Sequence, residues 1–236
     1  MIRHHYGKTL DWIDLNRFNL LLVSTVLVLV LPAFSGTGLL SEILFWTTMT
    51  FLFLQSVVAA KVRKSRKRFV RIIAVMLIFI IWLKPIGFKS VIVDGVKNAA
   101  LAGFFIFVVV YLFKFIRRSD RVTLDVLITA VNIYLLLGII GGSLASLLNI
   151  IYPEAYNFPD YTSARVFIPF LYYSFITMTT VGYGDITPRI PETQTLGYFI
   201  AITGQLYVAI IIAFIVGKLM TQPHDDKAVQ KEGPDD

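Results

Sequence analysis

Thr177-Met178-Thr179-Thr180-Val181-Gly182-Tyr183-Gly184-Asp185 is the stretch on which the reading of this chain turns. It lies between two long apolar runs, and the run before it ends in a short aromatic-rich segment around Phe167 to Phe175. Gly182 and Gly184 alternate with larger residues. Glycine takes positive φ without a Cβ penalty, so the alternation permits a backbone that ordinary helices and strands avoid. At membrane depth, irregular backbone is tolerated only where it is buried in protein or lines a watery path.

Working outward, the composition places that stretch in a membrane. Hydrophobic residues make up 56% of the 236, and the mean hydropathy is +0.73. This is the composition of an integral membrane protein rather than a soluble domain. There is no cysteine, which excludes disulfides, thiolate metal sites and a cysteine nucleophile. His4, His5 and His224 fall in polar tails, and no His/Asp/Glu cluster lies within the apolar runs, so metal-dependent enzymology is disfavoured. The formal charge of +7 comes from Lys and Arg beside apolar runs. That arrangement suits an anionic lipid surface and not nucleic acid.

Spanning helices are expected over Phe18–Phe34, Leu40–Ala60, Phe69–Leu83, Gly95–Ile116, Thr123–Leu148 and Thr195–Leu219. A span needs about 17 to 25 residues, and the first and third runs sit at or below that limit. Residues 1–17 form a polar, basic N-terminal segment. Leu10, Ile13 and Phe18, with Trp12, suit a short helix on the membrane surface or a frayed tail. No small-residue cleavage site follows the first run, so no cleavable signal peptide is expected. Residues 221–236 carry Pro223, Gly233 and Pro234 without apolar periodicity and are expected to be disordered. That tail is too short for a soluble ligand-binding gating domain.

Orientation follows from Lys and Arg in short loops. Lys61, Arg63, Lys64, Arg66, Lys67, Arg68 and Arg71 form the heaviest cluster, which places that loop and both termini in the cytoplasm. The loop before the glycine-rich stretch, with Glu154 and Asp160, then lies outside. Lys84, Lys89 and Lys97 oppose the rule but are outnumbered. The expected location is the inner (plasma) membrane of the cell, multi-pass. The Lys61–Arg68 cluster reads first as a topology signal and a solvated charged loop, with a contact for anionic lipid as the alternative reading.

Thr180-Val181-Gly182-Tyr183-Gly184-Asp185 resembles the filter of the potassium-channel pore family, with the small bacterial potassium channels the nearest likeness. The resemblance is strong over residues 122–220 and rests on layout alone over 18–116. It implies an all-α membrane protein of six transmembrane helices. A re-entrant pore helix and a selectivity filter would stand between the last two, in a homotetramer around a central pore. It implies passive conduction of K+, with no enzymatic activity and no cofactor beyond the permeant ion. Thr180, Val181, Gly182, Tyr183 and Gly184 would form the ion-coordinating filter, with K+ held at Thr180 to Tyr183 by backbone carbonyls that replace its water. The Thr180 hydroxyl would add the innermost ring. Val181 and Tyr183 would point away from the ions and pack behind the filter.

The same resemblance assigns roles around the filter. Pro169 suits the first turn of a pore helix beginning near Ile168. That helix would end near Thr179, its negative dipole end facing a cation-filled cavity. Thr179 would face the cavity. Tyr172 and Tyr173 stand where related channels carry an aromatic collar, and one of their hydroxyls would bond Asp185. Asp185 would also concentrate cations at the outer mouth. Gly204 stands at a hinge position of related pores; close helix packing is the competing reading. The small residues Gly138, Gly141, Gly142, Ser143, Ala145 and Ser146 form a packing face.

Residues 18–116 are laid out like a voltage sensor but lack its charges. A sensor needs arginine at every third position of its fourth span, and between Gly95 and Phe113 the only basic residue is Lys97. The short linker Arg117 to Val122 favours each four-span unit packing beside its own pore domain. Two alternatives use the same residues: a non-selective cation channel, and a non-conducting membrane sensor or accessory subunit that keeps the pore fold. No cysteine, short loops and no N-glycosylation sequon favour a prokaryotic source.

Overall fold

The computed structural model describes residues 15–34, 39–60, 64–83, 90–159 and 167–221. The surface helix and Trp12 expected in the N-terminal segment, the Lys61–Arg63 part of the basic loop, Lys84, Lys89 and Asp160, and residues 222–236 of the tail expected to be disordered lie outside the described residues.

Seven helices occur among the described residues: α1 (Arg17–Phe34), α2 (Leu39–Ala59), α3 (Lys64–Leu83), α4 (Val91–Arg118), α5 (Leu124–Ile151), α6 (Ile168–Met178) and α7 (Pro191–Met220). Two-residue strands β1 (Tyr156–Asn157) and β2 (Thr187–Pro188) complete the order, β1 between α5 and α6 and β2 between α6 and α7. Among the described residues, helix is the only other regular structure. α4 and α5 have 28 residues each and α7 has 30. At 1.5 Å per residue such helices reach about 42–45 Å, beyond the roughly 30 Å of a hydrocarbon core. These three are long and apolar enough to cross a membrane. α1 and α2 contain shorter apolar segments, Arg17–Leu31 and Ile43–Ala59, and α3 begins on the basic cluster.

Three helix starts differ by four or five residues from the expected ones. α3 starts at Lys64, five residues before Phe69. α4 starts at Val91, four residues before Gly95, and α7 starts at Pro191, four residues before Thr195. Pro191 sits in the first turn of α7, where its missing N–H removes no bond. Thr193 fixes that start: its hydroxyl donates to the carbonyls of Ala155 (3.1 Å) and Ile190 (3.0 Å). The extension of α4 places Asp94 and Lys97 on helix, one turn apart, rather than at a frayed end.

In lipid, helices gain little from burying apolar surface against one another, so packing and interhelical hydrogen bonds decide their association. The most extensive pairing is α4 with α5, and α1 also lies on α5. The four-helix half therefore packs against the fifth helix of its own chain. Phe18, Leu21, Phe105 and Leu112 of α1 and α4 are fully buried, as are Met49 and Phe53 of α2. Phe53 stacks near-parallel on Phe105, with centroids 5.2 Å apart. Polar ties cross the same seams. Asn98 Nδ2 donates to Ser146 Oγ at 2.9 Å, joining α4 to α5. Asn132 Nδ2 donates to the Phe18 carbonyl at 3.0 Å, joining α5 to α1.

Candidate ion pathway

α6 has 11 residues, about 16 Å of helix, too short to cross a membrane. It is held from both sides. On α5, the small-residue face meets it at successive turns. A Cβ on Gly138 would strike the Phe175 ring, one on Gly141 would strike Ser174 Oγ, and one on Gly142 would lie 3.0 Å from the Leu171 Cα. The Ser174 hydroxyl donates to the Gly138 carbonyl at 2.8 Å. On α7, a Cβ on Gly197 would lie 2.7 Å from the Tyr173 hydroxyl, and one on Gly204 would meet the Met178 carbonyl oxygen. Gly204 is thus a close-packing point against the last turn of α6, which is one of the two roles its sequence position suggested.

The chain leaves α6 without releasing its hydrogen bonds. Thr179 N–H donates to the Phe175 carbonyl at 3.0 Å, Thr180 N–H to Thr177 at 3.1 Å, and Gly182 N–H to Ile176 at 3.1 Å. The Thr179 hydroxyl also donates to Phe175, at 2.7 Å. Thr180, Gly182 and Gly184 have φ of +64°, +52° and +81°, while Val181 and Tyr183 between them do not. In an extended strand, successive residues face opposite sides, and so do their carbonyls. Alternating the hand at every residue turns them to one side. The glycines were the visible half of this pattern. The third left-handed residue is a threonine, where the conformation costs roughly 1–3 kcal/mol and persists only because its surroundings impose it.

The two tyrosines of the expected collar separate. The Tyr172 hydroxyl donates to Asp185 Oδ2 at 2.7 Å, bridging α6 to the residue after the glycines. Asp185 Oδ1 is buried and meets no donor among the described residues. Tyr173 turns the other way, towards Gly197 and an aromatic cluster. There the Tyr156 ring lies edge-on to Phe170 (5.5 Å) and Tyr173 (5.2 Å). Tyr156 reaches this place through β1, which pairs antiparallel with β2: Tyr156 opposite Pro188, Asn157 opposite Thr187. The ladder clamps the segment before α6 to the segment after Asp185. Nothing local to Tyr156 marks it, because its partners are about 14 and 17 residues further along the chain.

Hydrogen bonds to a charged group contribute about 1.5–3 kcal/mol, and solvent access here favours the low end. Tyr172→Phe is expected to leave the fold intact while loosening Asp185. In vesicles, any ion flux that the parent sustains should decay in this variant within the same recording. Sustained flux would show that the bond does not brace the segment.

Val181 and Tyr183 do not pack behind anything in their own chain: they are 51% and 73% exposed. Thr179, Thr180, Gly182 and Gly184 are exposed as well. So is most of α7, where Thr193, Gly197, Ile200 and Gly204 are the buried positions.

Compared with known proteins, residues 123–221 match the family model described as "Ion channel". No curated protein and no solved structure matches the chain.

Proposed function

We propose that this chain, whose residues 123–221 match the ion-channel family model, is one subunit of a homotetrameric, potassium-selective channel. It crosses the plasma membrane six times through α1–α5 and α7, with both termini cytoplasmic. Residues 18–116 form a four-helix unit, residues 122–220 the pore domain. The observation that carries the reading is the alternation of φ at Thr180, Gly182 and Gly184 in a Thr-Val-Gly-Tyr-Gly segment launched from the end of a short helix. Aligned carbonyls from Thr180 to Tyr183 replace the water of K+, and a filter of this kind favours the ion that its oxygens fit.

Assembly is supported by what one chain leaves uncovered. An irregular strip at membrane depth must be buried in protein or line water. Residues 179–184 and most of α7 do neither against their own chain. Four copies around an axis would give the strip a watery side and a packed side, with Val181 and Tyr183 against a neighbour. The C-terminal end of α6 would aim its negative dipole at the cavity lined by Thr179. Asp185, held by Tyr172, would stand at the outer mouth.

The test is ion flux from vesicles holding the purified protein, first with a potassium gradient and then with a sodium gradient. Potassium flux blocked by barium, with little sodium flux, is the expected result. Equal flux of both ions would replace this reading with a non-selective pore.

The four-helix unit is not a working voltage sensor on this reading. Lys97 is 4% exposed, paired with Asp94 at 2.5 Å and set 5.0 Å from the Trp46 ring. Displacing α4 would move the Lys97–Asp94 pair as a neutral unit. One elementary charge crossing the membrane gains about 2.3 kcal/mol per 100 mV, roughly a fifty-fold change in an equilibrium. Open probability in planar bilayers is expected to change by much less than that over 100 mV. A steeper dependence would mean that other charges on these helices move.

A further inference from the structure

Between the last turns of α4 and the second half of α7 lies a cavity of about 280 Å³, lined by Phe113, Ile116, Arg117, Tyr207, Ile210, Ile211 and Phe214. This is close to the lower end of the roughly 300–1,000 Å³ typical of small-molecule sites. The wall is carbon throughout, so Arg117 contributes the stem of its side chain and not its guanidinium. Two hydrogen bonds fix the walls. The Tyr207 hydroxyl donates to the Ala130 carbonyl at 2.7 Å, holding α7 to α5. Lys218 donates from Nζ to the Ser119 carbonyl, tying the end of α7 to the end of α4.

The rim has the opposite character. Lys114, Arg117, Arg118 and Arg121 follow one another along the end of α4 and the linker, Lys218 stands beside them, and Asp120 and Asp125 are the acidic residues of the same segments. Arg117, Arg118 and Arg121 are exposed. An apolar wall gives water none of the two to four polar partners it needs, so the cavity is not a water site. Next to a membrane, acyl chains are the apolar matter at hand, and the basic rim selects among lipids by headgroup charge.

We propose that this cavity holds an acyl chain of an anionic phospholipid whose headgroup lies against Arg117, Arg118 and Lys218. Its residues are other than those of the basic cluster at Lys61–Arg68, and the proposal does not depend on which ion the pore passes.

The experiment is photolabelling of the full chain in phosphatidylcholine vesicles. Each preparation carries a trace of phospholipid with a mid-chain diazirine, with a phosphatidylglycerol or a phosphatidylcholine headgroup, and labelled peptides are mapped by mass spectrometry. The phosphatidylglycerol probe is expected to label Phe113–Arg117 and Ile210–Phe214 at least about fivefold more than the phosphatidylcholine probe, the ratio one basic side chain gives. Both probes should label the exposed Val91–Val96 segment alike. Ile211→Trp, which fills the cavity, should remove most of the labelling there and spare Val91–Val96. Should that variant fail to fold, the double variant Arg117→Gln/Arg118→Gln carries the test: its two probes should label the cavity equally. Three outcomes would overturn the proposal. They are equal labelling by both headgroups in the parent, which means general lipid contact; no cavity labelling in the parent, which means another chain or nothing fills it; and labelling unchanged in both variants.

Discussion

Replacing Gly182 by valine is expected to abolish discrimination between potassium and sodium. Gly182 has φ +52°, a region where a β-branched residue is a genuine outlier. Forcing an L-residue there costs about 1–2 kcal/mol per position. In a tetramer the penalty falls on four chains around one axis and totals about 4–8 kcal/mol. A hundredfold preference for one ion corresponds to only about 2.8 kcal/mol. The strain therefore exceeds the free energy that selectivity represents, and the filter is expected to relax to another backbone rather than hold its oxygens in place. Thr180 does not weaken the argument. It already holds the left-handed conformation, at φ +64°, so the surroundings are committed to one strained residue before a second is added.

The measurement is the ratio of potassium to sodium flux in vesicles. It should fall to near unity in Gly182→Val. Gly103→Val is the control, because a Cβ at Gly103 on α4 has nothing within 4 Å. The control should keep the parent ratio. A Gly182→Val channel that still prefers potassium would show that residues 180–184 are not the selective element.

How much of this was legible in the sequence depends on range. The short helix α6 was legible because its signals are local: Pro169 in the first turn, eleven residues without a break, then alternating glycines. The left-handed Thr180 was not, because threonine does not favour that conformation. Only its place in the alternation, between α6 and Gly182, requires it. The small residues of α5 announced a packing face, yet only the fold shows which side chain each one admits. Tyr156 and Asn132 carried no signal at all, since each acts through partners distant in sequence. The exposure of Val181 and Tyr183 was also hidden. On the tetrameric reading proposed above, what would lie behind these two side chains belongs to other copies, and one chain does not carry it.

Gly204 separates two physical roles that the sequence left equal, and the structure supplies the means. If Gly204 served only as a hinge, a side chain there would stiffen α7 and change the fraction of time the pore is open, leaving stability alone. The observed contact requires more. A Cβ at Gly204 would meet the carbonyl oxygen and Cγ of Met178 and lie 3.0 Å from its carbonyl carbon. The Met178 side chain can swing aside, but its carbonyl belongs to the last turn of α6. From that turn Thr179, Thr180 and Gly182 take their hydrogen bonds. Over-packing of a tight contact costs about 1–3 kcal/mol per chain, and here relief comes only by moving α6 or α7. Gly204→Val is therefore expected to lower the unfolding temperature of the purified protein in detergent and to abolish potassium flux together. Gly103→Val on α4, where a Cβ meets nothing within 4 Å, should change neither. A Gly204→Val protein as stable as its parent, with altered opening but intact flux when open, would return the residue to a hinge. It would also mean that α6 can shift against α7 without losing the segment it supports.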